Sequence, residues 1–306
     1  MYDLAIIGGG PGGIAAGVYA SRKKLKTIFI TEEWGGQSIV SEEIQNWIGD
    51  ITVSGEELAK KLEGHLKAYA DNIVDIVSEV RATSVEKRDD SFTIITSDGK
   101  TYNAKTVLIT TGAHRRKLAA PGAEEFDNKG VTYCASCDGP LFSGQDVAVI
   151  GGGNAGFETA AQLLAYAKSV TLLHHRDEFK ADPVTVERVL KRPNMKAITN
   201  AETTEVLGDT FVKGLKYKDT KTGEEHELAV TGVFVEIGFV PNTEFLKGVV
   251  DLDPVGRIKV DGKSQRSSLE GIWAAGDCSD ALYHQNNIAA GDAIKALEDI
   301  YNYLNL

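Results

Sequence analysis

Cys134-Ala135-Ser136-Cys137-Asp138 sets two thiols three positions apart, with a carboxyl directly after the second. Two sulfurs on one turn can store and release an electron pair by making and breaking a disulfide, and a neighbouring acid can manage the proton. A zinc site is the competing chemistry for such a pair, but it needs a second pair of ligands. His174 and His175 lie too far along the chain, at the wrong spacing, to supply one. Two buried small side chains would be the structural alternative for the cysteines, and a turn cap before Gly139 the alternative for Asp138. Cys278 has no partner nearby in sequence and reads as a buried hydrophobe.

Two further runs carry chemistry through backbone rather than side chains. Gly8-Gly9-Gly10-Pro11-Gly12-Gly13 follows the apolar Leu4-Ala5-Ile6-Ile7 and leads into a helical pattern, with a next strand at Thr27-Ile28-Phe29-Ile30. Gly151-Gly152-Gly153-Asn154-Ala155-Gly156 repeats that context between Val147-Ala148-Val149-Ile150 and Val170-Thr171-Leu172-Leu173. In each GxGxxG the first glycine permits a tight turn and the second lets the backbone approach a pyrophosphate. The third packs helix on strand, and the helix N-terminus faces the negative charge. The two runs start 143 residues apart (151 minus 8), so the chain contains an internal repeat of a dinucleotide-binding unit. Glycine-rich turns that bind nothing would explain one such context more easily than two.

These groups need a scaffold to hold them. A chain of 306 residues is long enough for two domains, and 42% hydrophobic with 25% charged residues are the proportions of a globular enzyme. A helix is expected over Gly55 to Ala70, a strand at Val80, a hairpin at Phe92 to Ile95 with Asp98-Gly99, and a strand from Val107. After the second glycine run a helix to about Ala167 is expected. An antiparallel excursion follows from Glu202 to the turn at Thr222-Gly223, then a strand from Gly232 to Pro241. Gly271 to Asp277 reads as a late strand-to-loop junction returning to the first domain, before a final helix from about Asn287 to Leu304. The net charge of −11 is a poor match for a polyanion, so no nucleic-acid partner is expected. No run of 18 apolar residues and no secretory leader is present, and the expectation is a cytoplasmic protein without a membrane span.

With these residues in place, the chain resembles the low-molecular-weight thioredoxin reductase family and is similar also to the reductase portion of the alkyl hydroperoxide reductase flavoprotein subunit. Besides the glycine runs, the likeness rests on Gly35-Gly36-Gln37, Asn46-Trp47, Thr110-Thr111-Gly112-Ala113, Cys134 to Phe142, Val235-Glu236-Ile237-Gly238 and Ala274-Ala275-Gly276-Asp277. It implies an α/β fold of two Rossmann-like nucleotide-binding domains, the second inserted into the first. Residues 1–114 and 246–306 would bind FAD, and 115–245 would bind NAD(P)H and carry the redox-active CxxC.

By the same resemblance, Gly8, Gly10, Pro11, Gly12 and Gly13 hold the FAD pyrophosphate. Thr31, Glu32, Gly36 and Gln37 face its adenosine and ribityl regions, Asn46 lies near the flavin, and Val80 meets the adenine through its backbone. Thr111, Gly112 and Gly276 join the site, Asp277 bonds the ribityl chain, and Gln285 and Asn286 approach the isoalloxazine. Gly151, Gly153, Asn154, Ala155, Gly156, Ile237 and Gly238 serve the nicotinamide coenzyme. Cys137 would face the flavin, Cys134 would attack the disulfide of a thioredoxin- or glutaredoxin-like protein, and Asp138 would protonate the leaving thiolate. A homodimer is implied. The chain departs from its relatives at Ala293, where many carry glycine, and at Asn287-Ile288. The thioredoxin-like N-terminal extension of the hydroperoxide reductase flavoprotein is absent from the sequence, so electrons are expected to pass to a separate protein.

Coenzyme choice is read at the end of the second strand. An acid about 20 residues past the glycine run would mark NADH, but the chain has His174-His175-Arg176 and then Lys180. Arg176 can grip a 2′-phosphate bidentately and Lys180 as a point charge, with His175 beside them, so NADPH is expected and NADH is the alternative. A solvated basic strand end is the bland reading of the two histidines. Other readings of the whole chain are a reductase fed by NADH, ferredoxin or another donor in a peroxiredoxin system, and a flavin redox sensor without turnover.

Overall fold

The computed structural model describes residues 1–41 and 43–305, and of Val40 its backbone only; Leu306, the last residue of the expected FAD-binding segment, lies outside them. The chain divides into two compact units, residues 1–114 with 240–306 and residues 115–239. The chain opens with β1 (Tyr2–Gly9), α1 (Pro11–Arg22), β2 (Thr27–Trp34), α2 (Gly55–Ala70) and β3 (Val74–Val77). A meander follows of β4 (Ala82–Arg88), β5 (Ser91–Thr96) and β6 (Thr101–Ile109), and β7 (Ala113–Arg115) leads out of this unit. The second unit contains β8 (Val131–Thr132), α3 (Ala135–Asp138), β9 (Asp146–Ile150), α4 (Asn154–Leu163), β10 (Ser169–Leu173), α5 (Pro183–Leu190) and β11 (Met195–Ile198). Its chain continues as β12 (Ala201–Gly208), β13 (Val212–Asp219), β14 (Glu225–Leu228) and β15 (Gly232–Val235). β16 (Phe239–Pro241), β17 (Ile272–Ala274) and α6 (Asn286–Asn305) complete the first unit.

The first sheet runs β3-β2-β1-β6-β5-β4, with β17 paired in parallel to the last part of β6. β1 alternates its side chains between two cores. Leu4 and Ile6 join Phe29, Leu108 and Trp273 on the face covered by α1 and α6, while Ala5 and Ile7 join Ile28, Ile30, Val107 and Ile109 on the other. A strand buried on both faces has no polar side to show, which is why these segments read as unbroken apolar runs. Each Leu, Ile or Val among them contributes roughly 1.5–3 kcal/mol on burial.

The second sheet is wholly parallel in the order β11-β10-β9-β15-β8. Phe157, Ala160 and Leu163 of α4 pack with Val147, Val149 and Leu172 on one face. On the other face Ala148, Ile150, Val233 and Val235 meet Val206, Val212 and Leu215 of the antiparallel β12-β13-β14 sheet. The excursion expected after residue 202 is therefore the lid of this core.

Four local expectations are corrected. Val80 is not in a strand but in the loop between β3 and β4. α4 stops at Leu163, because the turn at 164–168 is tied back: the Gly144 N–H donates to the Tyr166 carbonyl and the Lys168 N–H to that of Gln145. The expected strand from 232 to 241 breaks at Glu236–Gly238, where Gly238 takes φ +111°. The chain returns to the first unit at 240 rather than 246, because β16 pairs with β7, the Asn242 N–H donates to the Gly112 carbonyl, and Leu246 is fully buried in the first core.

Candidate active site

The first glycine loop shows why its residues must be glycine. Gly8 has φ +121°, and a Cβ there would lie 2.3 Å from the Thr110 carbonyl oxygen at the end of β6. A Cβ at Gly13 would lie 1.9 Å from the Gly8 carbonyl oxygen, so this glycine lets α1 press onto β1. A Cβ on Gly10, by contrast, would meet only the Gly36 Cα, at 3.9 Å, and Pro11 begins α1 directly after it. That is a cradle for an anion: bare backbone at a helix N-terminus, where partial positive charge collects.

A groove of about 740 Å³ opens here in the first unit. The loop supplies Gly8, Gly10, Pro11 and Gly12 to it, and β2 supplies Thr31 and Glu32. Gly36 and Gln37 come from the turn after β2, and Thr111 and Gly112 from the end of β6. Gly276 and Asp277 come from the loop after β17, and Asn286 from the start of α6. Four other expected residues do not line it. Gly13 packs beneath the loop, and the Val80 N–H donates to the Thr31 carbonyl at 3.2 Å. Asn46 donates to the Gln285 side chain at 3.1 Å, and its carbonyl accepts from Asn287 at 2.8 Å. Ser38 donates to Asn286 at 2.8 Å, so the segment after β2 is stitched to the start of α6. Arg81 and Asn242 line the groove although no motif marked them. The residues present fit an elongated dinucleotide with a central pyrophosphate.

The second loop repeats this geometry. Gly151 has φ +128°, and a Cβ on it would lie 2.1 Å from the Glu236 carbonyl oxygen at the end of β15. A Cβ on Gly156 would lie 1.9 Å from the Gly151 carbonyl oxygen, and space over Gly153 is open. Asn154 and Ala155 are exposed at the start of α4, and the Asn154 side-chain oxygen accepts the Asp182 N–H at 2.7 Å. β9 runs between β10, which the chain reaches next, and β15, which it reaches last. The carboxyl ends of β9 and β15 therefore flank a topological switch point, where open α/β sheets bind ligands. Glu236, Ile237 and Gly238 follow β15 at that place. Burial pushes the Glu236 carboxyl above its ordinary range, against the pull of Arg115 and of the Thr159 hydroxyl, which donates to it at 2.8 Å.

At the end of β10 the two histidines separate. His175, Arg176 and Lys180 are exposed, with the Arg176 Nε 3.2 Å from the His175 Nε2, while His174 is only 5% exposed. A solvated strand end thus describes His175 but not His174. Burial, then the nearby His175, Arg176 and Lys180, push the His174 imidazole below its ordinary range, with the Glu178 backbone opposing them.

Cys134 and Cys137 form a disulfide with their Cα atoms 5.3 Å apart. Cys134 is the extended residue before the four-residue α3, and its Sγ accepts the Cys137 N–H at 3.2 Å. Both cysteines and Asp138 are half-buried. The Thr132 hydroxyl donates to the Asp138 carboxylate and accepts the Cys134 N–H at 3.3 Å, so one hydroxyl joins the acid to the first cysteine. Cys278 is fully buried, donates to backbone carbonyls and has its thiol pushed up to about 11, which fits the hydrophobe reading. Among the described residues no cluster of His, Cys, Asp or Glu could hold a metal ion, and no helix is long and apolar enough to cross a membrane.

The chain matches the pyridine nucleotide-disulphide oxidoreductase family over residues 2–293. It is 43% identical to a protein named NADH dehydrogenase from Bacillus subtilis (strain 168), over 99% of this chain and 58% of that protein. It is 41% identical to the F subunit of alkyl hydroperoxide reductase from Staphylococcus aureus (strain MRSA252), over 99% of this chain and 59% of that one. The chain thus spans about three fifths of the length of these curated relatives. Among solved structures it resembles thioredoxin reductase from Streptococcus pyogenes MGAS5005, with TM-score 0.91, 35% identity, and 100% and 98% of the two chains covered. For thioredoxin reductase from Giardia duodenalis the TM-score is 0.94 at 31% identity, with 100% and 99% covered. The family match across nearly the whole chain, on a fold shared with thioredoxin reductases, makes this chain a member of the pyridine nucleotide-disulphide oxidoreductase family.

Proposed function

We propose that the chain is an FAD-dependent disulfide reductase that takes electrons from NADPH and passes them through Cys134 and Cys137 to a thioredoxin- or glutaredoxin-like protein. The observation that carries this reading is a CxxC disulfide in a chain with two equivalent dinucleotide loops, one with an acidic strand end and one with a basic one. Residues 1–114 with the C-terminal segment would bind FAD, and the inserted segment NADPH. When bound, FAD supplies a two-electron relay between hydride donor and disulfide. Gly8 permits the turn, Gly10 and Gly12 line the groove where its pyrophosphate would meet the α1 N-terminus, and Asp277 and Asn286 offer polar contacts in the same groove. In the second unit, Gly151 permits the turn, Gly156 packs α4 on β9 and Gly153 leaves room for the coenzyme's pyrophosphate, while Arg176 and Lys180 hold its 2′-phosphate.

The dithiol then works by exchange. The Cys134 thiol gives its proton to the Asp138 carboxylate as it attacks one sulfur of the target disulfide, forming a mixed disulfide and expelling a thiolate that takes that proton from Asp138. The Cys137 thiol then loses its proton to the same carboxylate and attacks the Cys134 sulfur, which restores the Cys134–Cys137 disulfide and expels the target's second sulfur as a thiolate that takes up this second proton. Two electrons and two protons pass to the target, and Thr132 holds the acid beside the first cysteine. The protein is proposed to act as a cytoplasmic homodimer.

A second reading, NADH as donor in a peroxiredoxin system, is favoured by the names of the relatives from Bacillus subtilis and Staphylococcus aureus. Steady-state NADPH and NADH consumption with a thioredoxin-type protein and with a small aromatic disulfide tests the proposal. NADPH consumption with both acceptors is the expected result. No turnover with either would favour a redox sensor, and turnover on NADH alone would favour the second reading.

A further inference from the structure

The middle glycine of the second loop is held from both sides. The Gly152 N–H donates to the Nδ1 of His174 at 3.2 Å, and its carbonyl accepts the Lys180 N–H at 2.8 Å. The Asp182 N–H adds a third tie, to the side-chain oxygen of Asn154. Segment 174–182, which carries Arg176 and Lys180, is therefore bonded to the pyrophosphate loop at three points. His174 is in turn fixed by its backbone, the N–H donating to the Ile198 carbonyl and the carbonyl accepting the Ala201 N–H. Its ring centroid lies 5.9 Å from that of Phe179, whose ring packs edge-on against Phe157 of α4. No slack remains around Gly152: a Cβ there would stand 2.5 Å from the His174 Cγ and 2.8 Å from the Phe179 Cδ1. Gly152 is not marked by a positive φ, so space and not backbone conformation requires glycine at this position.

An N–H can be donated to Nδ1 only if that nitrogen carries a lone pair, so the His174 imidazole is neutral with its proton on Nε2. A solvated, charged histidine could not take this place. We propose that His174 is a positioning residue for coenzyme choice: through Gly152 it fixes the basic segment relative to the pyrophosphate loop, so that Arg176 and Lys180 meet a 2′-phosphate when the pyrophosphate is seated. This rests on the NADPH reading. It assigns a task to the buried histidine of the pair, and it separates anchoring from reading. His174 and Gly152 set the distance, while the two cations supply the charge.

Calorimetric binding of 2′,5′-ADP and of 5′-AMP to the full chain loaded with FAD isolates the 2′-phosphate without turnover. The native chain is expected to prefer 2′,5′-ADP about tenfold or more, the worth of one charge-assisted hydrogen bond. Both His174→Ala and Gly152→Ala, which removes the tie or pushes the ring away, are expected to cut that ratio about fivefold or more while 5′-AMP affinity changes less. His174→Asn keeps an acceptor near the Nδ1 position and is expected to restore most of the ratio. An unchanged ratio in His174→Ala, equal loss of both ligands, or no rescue by asparagine would overturn the proposal. If His174→Ala does not fold, Gly152→Ala and His174→Asn decide by the same ratio. Absence of any preference in the native chain removes the NADPH reading, and this inference with it. A preference abolished by Arg176→Ala but untouched by His174→Ala leaves the reading intact and removes the inference alone.

Discussion

The two glycine loops of this chain are nearly the same object built twice. Gly8 and Gly151 have φ of +121° and +128°, and the third glycines, Gly13 and Gly156, press equally close on the carbonyls of the first. Even the middle residue is anchored alike, the Gly9 carbonyl accepting the Gly35 N–H at 2.9 Å as the Gly152 carbonyl accepts that of Lys180. The strand orders β3-β2-β1-β6 and β11-β10-β9-β15 correspond. What differs is the end of the second strand. Against Gly9 stands Thr31, followed by Glu32 and Glu33; against Gly152 stands His174, followed by His175 and Arg176. The pyrophosphate problem has one backbone solution, used twice, and the ribose end is where charge tells one dinucleotide from another: carboxylates suit free hydroxyls, cations a phosphate.

The second unit also carries the CxxC, for which the first has no counterpart, and its loss should have the largest effect. Cys137→Ser should abolish turnover and the long-wavelength thiolate-to-flavin band, yet still trap a target through Cys134. Cys134→Ser should abolish turnover while keeping or strengthening that band. Absorbance spectra and mixed-disulfide gels check this, and the reverse pattern would exchange the two roles.

The next test uses the equivalence itself. Gly13→Val should release FAD, whereas Gly156→Val should leave the protein yellow but lower its affinity for the nicotinamide coenzyme about 100-fold or more, since each side chain would collide with backbone that has no room to move. Flavin content and coenzyme titration read the outcome; if Gly156→Val costs flavin instead, the two loops do not divide the cofactors in this way.

Arg176→Ala sharpens the contrast between strand ends. It should raise the Michaelis constant for NADPH about tenfold or more, the loss of one charge-assisted hydrogen bond of roughly 1.5–3 kcal/mol, and leave that for NADH nearly unchanged. Equal loss with both would mean that the basic end does not read the phosphate.

A smaller effect is expected where the loops meet their neighbouring strands. Beside Gly8 is Thr110, and beside Gly151 is Glu236, whose carboxyl burial pushes up. A group with a raised folded pKa holds its proton more tightly in the fold, so the stability that it contributes is present at low pH and is lost as pH rises through the folded value. Glu236→Gln removes the ionised form. Its melting temperature, relative to the native chain, should therefore gain about 2 °C more near pH 8 than near pH 5. A larger gain at the lower pH would contradict the assignment.

Much of this was legible in the sequence because the glycine contacts leave no alternative. Residues with no room for a Cβ must be glycine, and strands buried on both faces must be apolar from end to end. The CxxC was legible for a like reason, since its chemistry needs two sulfurs on one turn. Features set by long-range partners were not. Helical propensity continues past Leu163, and the bonds from Gly144 and Lys168 tie the following turn back. Val80 is apolar like a strand residue, but its N–H is spent on the Thr31 carbonyl from within a loop. His174 looked like half of a solvated pair because burial beneath a glycine loop leaves no local pattern. Arg81 and Asn242 reach the groove from segments without a motif.

The central claim is that one scaffold, used twice, holds FAD at its acidic strand end and NADPH at its basic one. Anaerobic titration of the FAD-loaded chain with NADPH and with NADH, followed by flavin absorbance, tests it most directly. NADPH should bleach the flavin at lower concentration than NADH and consume about two equivalents, one electron pair for the disulfide and one for the flavin. Equal or better bleaching by NADH, or a flavin that neither coenzyme reduces, would contradict it.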